Sequence, residues 1–131
     1  MATIAIKKIK SFEDACKVEK LNPKKVLPDF SAYPKQDQAA MIAHAKLVII
    51  ARAANRLANK GKEWTPDWNN YNERKYYPWF ELGGSSGFRF YDYVTWGTRS
   101  LVGSRLCFIS YSVAQEIGKQ FEDLYKIYFT L

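Results

Sequence analysis

The string closest to an enzyme motif is Pro66-Asp67 followed by Glu73-Arg74-Lys75, which has the outline of the PD…(D/E)xK pattern of metal-dependent nucleases. In that chemistry carboxylates hold Mg²⁺ and the lysine positions or activates the attacking water. Five residues separate Asp67 from Glu73, and they include Asn69, Asn70 and Asn72, which do not read as two neighbouring strands. A polar turn is the simpler expectation. His44 is the only histidine and falls inside a helical stretch between Ala43 and Ala45. It has no second histidine or nearby cysteine to build a metal site, and no motif for a catalytic triad. Asp92 has no adjacent acid to pair with as a general acid and base. Gly83-Gly84-Ser85-Ser86-Gly87 lacks the following lysine and helix of a phosphate loop. No catalytic residue, metal or cofactor is expected, and the chain reads as a binding protein and not an enzyme.

Binding chemistry is better represented. If residues 88–96 form a strand, Phe88, Phe90, Val94 and Trp96 share one face, with Arg89, Tyr91, Tyr93 and Thr95 on the other. Tyrosines stack unpaired bases and guanidinium groups hold phosphates, so Arg89, Tyr91, Tyr93, Arg99 and Arg105 are the candidates for nucleic acid, with Lys7, Lys8 and Lys10 beside them. The competing expectation is that a helix or the aromatic segment 64–80 covers this face. Trp64, Trp68, Tyr76, Tyr77 and Trp79 are candidates for a contact with another protein or a second copy, because Trp and Tyr dominate interface hot spots.

Charge supports the same two directions. The net charge is +7, and residues 1–62 carry 13 Lys and Arg against 5 Asp and Glu, while residues 63–131 carry 7 against 8. The excess sits above all on Lys7, Lys8, Lys10, Lys17, Lys20, Lys24 and Lys25. A positive surface attracts nucleic acid, anionic membranes or acidic proteins; a merely solvated lysine-rich surface is the plain alternative. Cys16 and Cys107 are not a short-spaced pair, so reduced thiols packing as small apolar residues are expected. Charge interrupts the apolar N-terminus at Lys7, which argues against a signal peptide. The longest apolar stretch, about 47–51, is too short to span a bilayer.

These groups need a scaffold, and 131 residues with 47% apolar content suit one domain. Ser11 is placed to cap a short helix that Asn22-Pro23 would end. The main helix is expected over about 34–60, with Ala39, Ile42, Ala43, Leu47, Ile50, Ala54, Leu57 and Ala58 at helical spacing and Gly61 as its stop. Between Trp64 and Trp96 lie 12 of the 21 aromatic residues, and Trp64 to Phe80 reads as an aromatic connection. A hairpin is expected over about 87–109, pairing 88–96 with 102–109. Ser112 with Gln115 resembles a capping box for a last helix over about 112–128. The predicted class is α+β, a small antiparallel sheet packed against the long and C-terminal helices.

Ser11-Phe12-Glu13-Asp14-Ala15-Cys16, the run Trp64 to Trp68, Lys75-Tyr76-Tyr77-Pro78-Trp79-Phe80, Gly103-Ser104-Arg105-Leu106-Cys107-Phe108 and Gly118-Lys119-Gln120-Phe121 resemble small hypothetical proteins encoded by phages and prophages of gut anaerobes. The likeness spans most of the chain and carries no functional residue. It implies a setting: a phage protein made in the cytoplasm of a bacterial host, with a place in the virion as the alternative. The leading expectation is nucleic-acid binding, single-stranded preferred. The second is a structural or protein-interaction role as a virion component or host-factor inhibitor, with a protein partner or homo-oligomer and no membrane.

Overall fold

The computed structural model describes residues 7–81, 89–96 and 104–130. The side chains of Trp79, Glu81, Arg89, residues 91–96 and Ser104 fall outside that description.

Helix α1 (Phe12–Glu19) starts where the sequence places it. Ser11 is extended (φ −149°, ψ 166°) and its hydroxyl accepts the Asp14 N–H at 3.1 Å. Asp14 in turn accepts the Lys10 N–H at 3.0 Å, so two amides before the first full turn are satisfied by side chains. The helix stops earlier than Asn22-Pro23. Lys20 takes the left-handed conformation (φ 59°) and the Leu21 N–H reaches back to the Cys16 carbonyl at 2.8 Å. That Schellman closure ends the helix without a glycine.

Helix α2 (Lys35–Ala58) matches the expected main helix to within two residues at each end. Ala43, Leu47, Ile50, Ala51 and Ala54 are buried along one side. Pro34 offers no capping side chain, and the Gln38 amide donates to the Tyr33 carbonyl at 2.9 Å. At the other end Lys60 (φ 60°) and Gly61 (φ 86°) turn the chain, and the Gly61 N–H bonds the Arg56 carbonyl at 2.8 Å. Gly61 is needed for its backbone angle alone, since a Cβ there would meet no atom within 4 Å.

The β structure differs from the expected hairpin over 87–109. The first strand, β1 (Lys75–Glu81), comes from the segment read as an aromatic connection, and it pairs antiparallel with β2 (Arg89–Trp96). Tyrosine, tryptophan and phenylalanine favour a pleated surface, and this intrinsic preference outweighs the asparagine-rich approach and Pro78. Pro78 lacks an N–H, which a two-stranded ladder tolerates because each strand has a free edge. The register shifts between Trp79, opposite Asp92, and Phe80, opposite Phe90, which leaves Tyr91 as the extra residue of a bulge. The expected second strand at 102–109 is not a strand where described. Ser104–Leu106 forms a 3-10 turn, and Phe108 alone bridges to Tyr76.

The expected C-terminal helix is two: α3 (Tyr111–Gln120) and α4 (Glu122–Phe129), with Phe121 between them at φ −114°, ψ 29°. Ser110, not Ser112, is the cap; its hydroxyl accepts the Val113 N–H at 3.4 Å. The Glu122 carboxylate accepts the Phe90 N–H, which ties the start of α4 to β2. Helices α1 and α4 pack on α2, and α3 lies on the ladder. At that last contact a Cβ on Gly118 would sit 2.7 Å from Pro78 Cβ and 2.8 Å from the Phe90 ring, so the helix approaches as closely as it does only with glycine there. The core gathers Phe12, Leu47, Phe80, Phe108, Ile117 and Tyr125. Among the described residues no helix is long and apolar enough to cross a membrane.

Candidate nucleic-acid interface

The string Asp67, Glu73 and Lys75 does converge, but into a stapled turn. Lys75 is fully buried, and its ammonium donates to the carbonyls of Asp67 at 2.6 Å, Glu73 at 2.8 Å and Asn70 at 3.1 Å. The Glu73 carboxylate lies 3.4 Å away and the Trp68 ring centroid 5.2 Å away. An ammonium has three protons, and three carbonyls take them. The Asp67 carboxylate accepts the Asn69 N–H at 3.0 Å, while Glu73 accepts the Asp67 N–H at 2.7 Å. The residues spend their polar capacity on the turn, which is the polar turn expected from the sequence.

His44 packs against Tyr128, ring centroids 4.8 Å apart. Among the described residues no group of three or more His, Cys, Asp or Glu is placed to hold a metal ion. Cys16 and Cys107 are free and buried, and burial together with the nearby Glu13 carboxylate pushes the Cys16 thiol above its ordinary pKa.

Two polar constructions meet on α2. Asn55, only 5% exposed, donates from Nδ2 to the Cys107 carbonyl and accepts the Ile109 N–H, each at 2.9 Å. Beside Asn55 along the same helix, Arg56 holds Glu19 of α1, with Nε 2.6 Å from the carboxylate, and Arg52 Nε lies 3.9 Å away. The Glu19 pairing raises the Arg56 pKa. Arg52 also pairs with Glu63 and holds that carboxyl below its usual range.

Beside these pairs lies a cleft whose walls include Val48, Arg52, Glu63, Trp64, Pro66 and Arg105. Helix α2 supplies one wall, the segment after its C-terminus another, and the 3-10 turn brings in Arg105. The structure therefore places one nucleic-acid candidate, Arg105, beside one interface candidate, Trp64. Arg105 is exposed and has no ion-pair or hydrogen-bond partner among the described residues.

The other expected residues are distributed as follows. Lys7, Lys8 and Lys10 are exposed, and Lys7 and Lys10 line a groove with Glu116 and Gln120 on α3. Lys20 and Lys60 take left-handed angles at the ends of helices, and Lys46 lies over the Phe12 ring at 5.6 Å. Trp64 and Trp68 are half-buried, and Tyr76 bridges Phe108. Tyr77 is buried at 4% exposure, a core position and not a surface one. Arg99 lies outside the described residues, and Arg89, Tyr91, Tyr93 and Trp79 are described only as strand positions. Arg89 stands opposite Glu81 and Tyr93 opposite Pro78. Those partners differ in parity along β1, so strict alternation along β2 is interrupted at the bulge.

Sequence reasoning missed Asn55, Arg52 and Glu63. Asn55 had a signal, a polar residue within the apolar side of α2 beside Ala51 and Ala54. Comparison with family models, curated proteins and solved structures returned no match to this chain.

Proposed function

We propose that this chain is a non-enzymatic nucleic-acid-binding protein of α+β build, with single strands preferred over duplexes. The observation that carries the reading is a set of exposed cations without internal partners. Lys7, Lys8, Lys10 and Arg105 are exposed and have no carboxylate partner among the described residues, and they add to a net charge of +7. Cations left over after internal pairing are what a phosphate backbone neutralises, by releasing its condensed counterions. The setting proposed is that of a phage protein in the cytoplasm of a bacterial host, with packaging in the virion as a further step.

The test is titration of labelled single- and double-stranded oligonucleotides at two salt concentrations. Four phosphate contacts to a single strand weaken binding ~50-fold between about 50 and 200 mM salt. Binding that ignores salt, or no binding to either form, overturns the reading.

A second reading has its own observation. Ile42 and Ile127 are 36% and 42% exposed, and a groove lined by Ala39, Ala40, Ile127 and Thr130 runs between the start of α2 and α4. An apolar surface of this kind suits a homo-oligomer or a protein partner. It predicts a stable oligomer by light scattering together with indifference to oligonucleotides.

A further inference from the structure

We infer that one unstacked nucleotide of a single strand lies across the mouth of the cleft between α2 and the segment 63–66, its base against Trp64 and its phosphate at Arg105, the cleft itself being only about 60 Å³. This rests on the nucleic-acid reading and adds a location and a mode to it. The walls divide by chemistry: Val48, Trp64 and Pro66 are apolar, and Arg105 is the lining cation that has no ion-pair partner among the described residues. Arg52 shares the cleft but is already engaged by Glu63 and Glu19. Glu63, paired with Arg52, places a carboxylate on that side of the cleft and turns an approaching phosphate toward Arg105.

An indole beside a free guanidinium is the pairing that single-strand binders use. Every base has a π-face to stack, and every nucleotide brings a phosphate. Thr65, also on the cleft, adds a hydroxyl that donates or accepts toward a base edge. A base inside a duplex has both faces covered by its neighbours and cannot lie against Trp64, so the site selects unpaired strands. The floor is rigid, since Asn55 is fixed by its two bonds to the Cys107–Ile109 backbone.

The experiment measures binding of a labelled oligo-thymidylate of about 12 nucleotides, a length within one single-strand site. Arg105→Gln, Trp64→Leu, Trp64→Phe and the triple Lys7→Gln/Lys8→Gln/Lys10→Gln variant are compared, each checked for an unchanged melting temperature. Arg105 is exposed, so its variant keeps the fold. The expected result is a salt slope smaller by ~0.7 in Arg105→Gln, the share of one phosphate contact to a single strand. Trp64→Leu should weaken binding ~10-fold and Trp64→Phe should restore most of it, as stacking requires. Tryptophan quenching by the oligonucleotide should largely vanish in Trp64→Phe, which decides the matter even if Trp64→Leu fails to fold. Single-strand binding that is lost only in the triple lysine variant overturns the cleft and leaves the nucleic-acid reading standing. A preference for duplex also overturns the cleft. No binding by the wild type ends both.

Discussion

The side-chain amide of Asn55 reaches across the fold to the backbone of Cys107, 52 residues away, with Nδ2 donating to the carbonyl at 2.9 Å. Its Oδ1 accepts the N–H of Ile109 at the same distance. Between these two, Phe108 turns its own N–H and C=O to Tyr76, at 2.6 and 3.2 Å. The stretch 107–109 is thus bonded on one edge to a strand and on the other to a helix side chain. One asparagine does for this segment what a third strand does in a wider sheet, and it fixes α2 against the ladder.

Asn55→Ala removes both bonds and leaves two backbone groups unmet in a largely buried place. Net loss for a hydrogen bond is near 1 kcal/mol, and an orphaned buried group costs more, so the expected destabilisation is ~2–4 kcal/mol by denaturant titration. Asn55→Asp is the sharper test. A carboxylate still accepts from Ile109, but it faces the Cys107 carbonyl with no proton to give. The aspartate's folded pKa is therefore raised above its unfolded value. Its stability contribution is complete below the unfolded pKa, near ~4, and is lost as pH rises through the folded value. The variant should approach wild-type stability in mild acid and fall away toward neutral pH; a constant difference across that range refutes the geometry.

Lys75→Met keeps the stem and removes the ammonium that holds three carbonyls of the 67–73 turn. Breaking a buried charged network costs ~3–5 kcal/mol. Asp67 and Asn70 are exposed, so water can reach part of what is released. A loss of ~2–3 kcal/mol is expected for that reason. Hydrogen exchange should speed up within 67–73 before it changes in α2. An unaltered exchange pattern there contradicts the staple.

Local signals in the sequence were read correctly where one residue type dictates one arrangement. Ser11 caps α1, the alanine and leucine spacing builds α2, and the polar stretch 67–73 is a turn. The errors came where long-range partners decide. Residues 102–109 read as the partner of β2 and 75–81 as a connection, yet 75–81 is the segment that pairs with it, while 107–109 is held by Asn55 and Tyr76, which lie far off in the chain. The single helix expected at the C-terminus is interrupted at Phe121, a buried position whose backbone leaves helical angles. The cleft was hidden for the same reason. Arg105, Trp64 and Arg52 stand in three separate stretches, and only the packing of the 3-10 turn on α2 unites them. Lys75 shows a motif that was visible while its use was not.

Gly118→Ala sets two effects against each other. Alanine is better than glycine inside a helix by about 1 kcal/mol. Here the new methyl would stand 2.7 Å from Pro78 Cβ, and a proline ring in a strand cannot swing aside. Overpacking costs typically about 1–3 kcal/mol, so the clash wins and the variant is less stable despite the better helix former. A melting temperature above wild type would mean that α3 and the ladder are further apart than described.

Glu63 gives the pH dependence a definite sign. The hydrogen bond and charge of Arg52 hold its carboxyl below the ordinary range, so the folded pKa is depressed. A depressed carboxylate contributes stability above its unfolded pKa, about 4.3, and loses it as pH falls through the folded value. Both partners are substantially exposed, at 42% and 55% of their side chains, so the effect is small and screened by salt. Wild type should therefore melt slightly above Glu63→Gln at neutral pH and low ionic strength. The gap should close on acidification below the carboxylate range, and should also close in high salt at neutral pH. Arg52→Gln removes the main partner, and in that background Glu63→Gln should have a smaller pH-dependent effect, the remainder coming from the charge of Arg56. A gap that widens in acid, or one undiminished by the loss of Arg52, would place the origin of the shift elsewhere than in this pair.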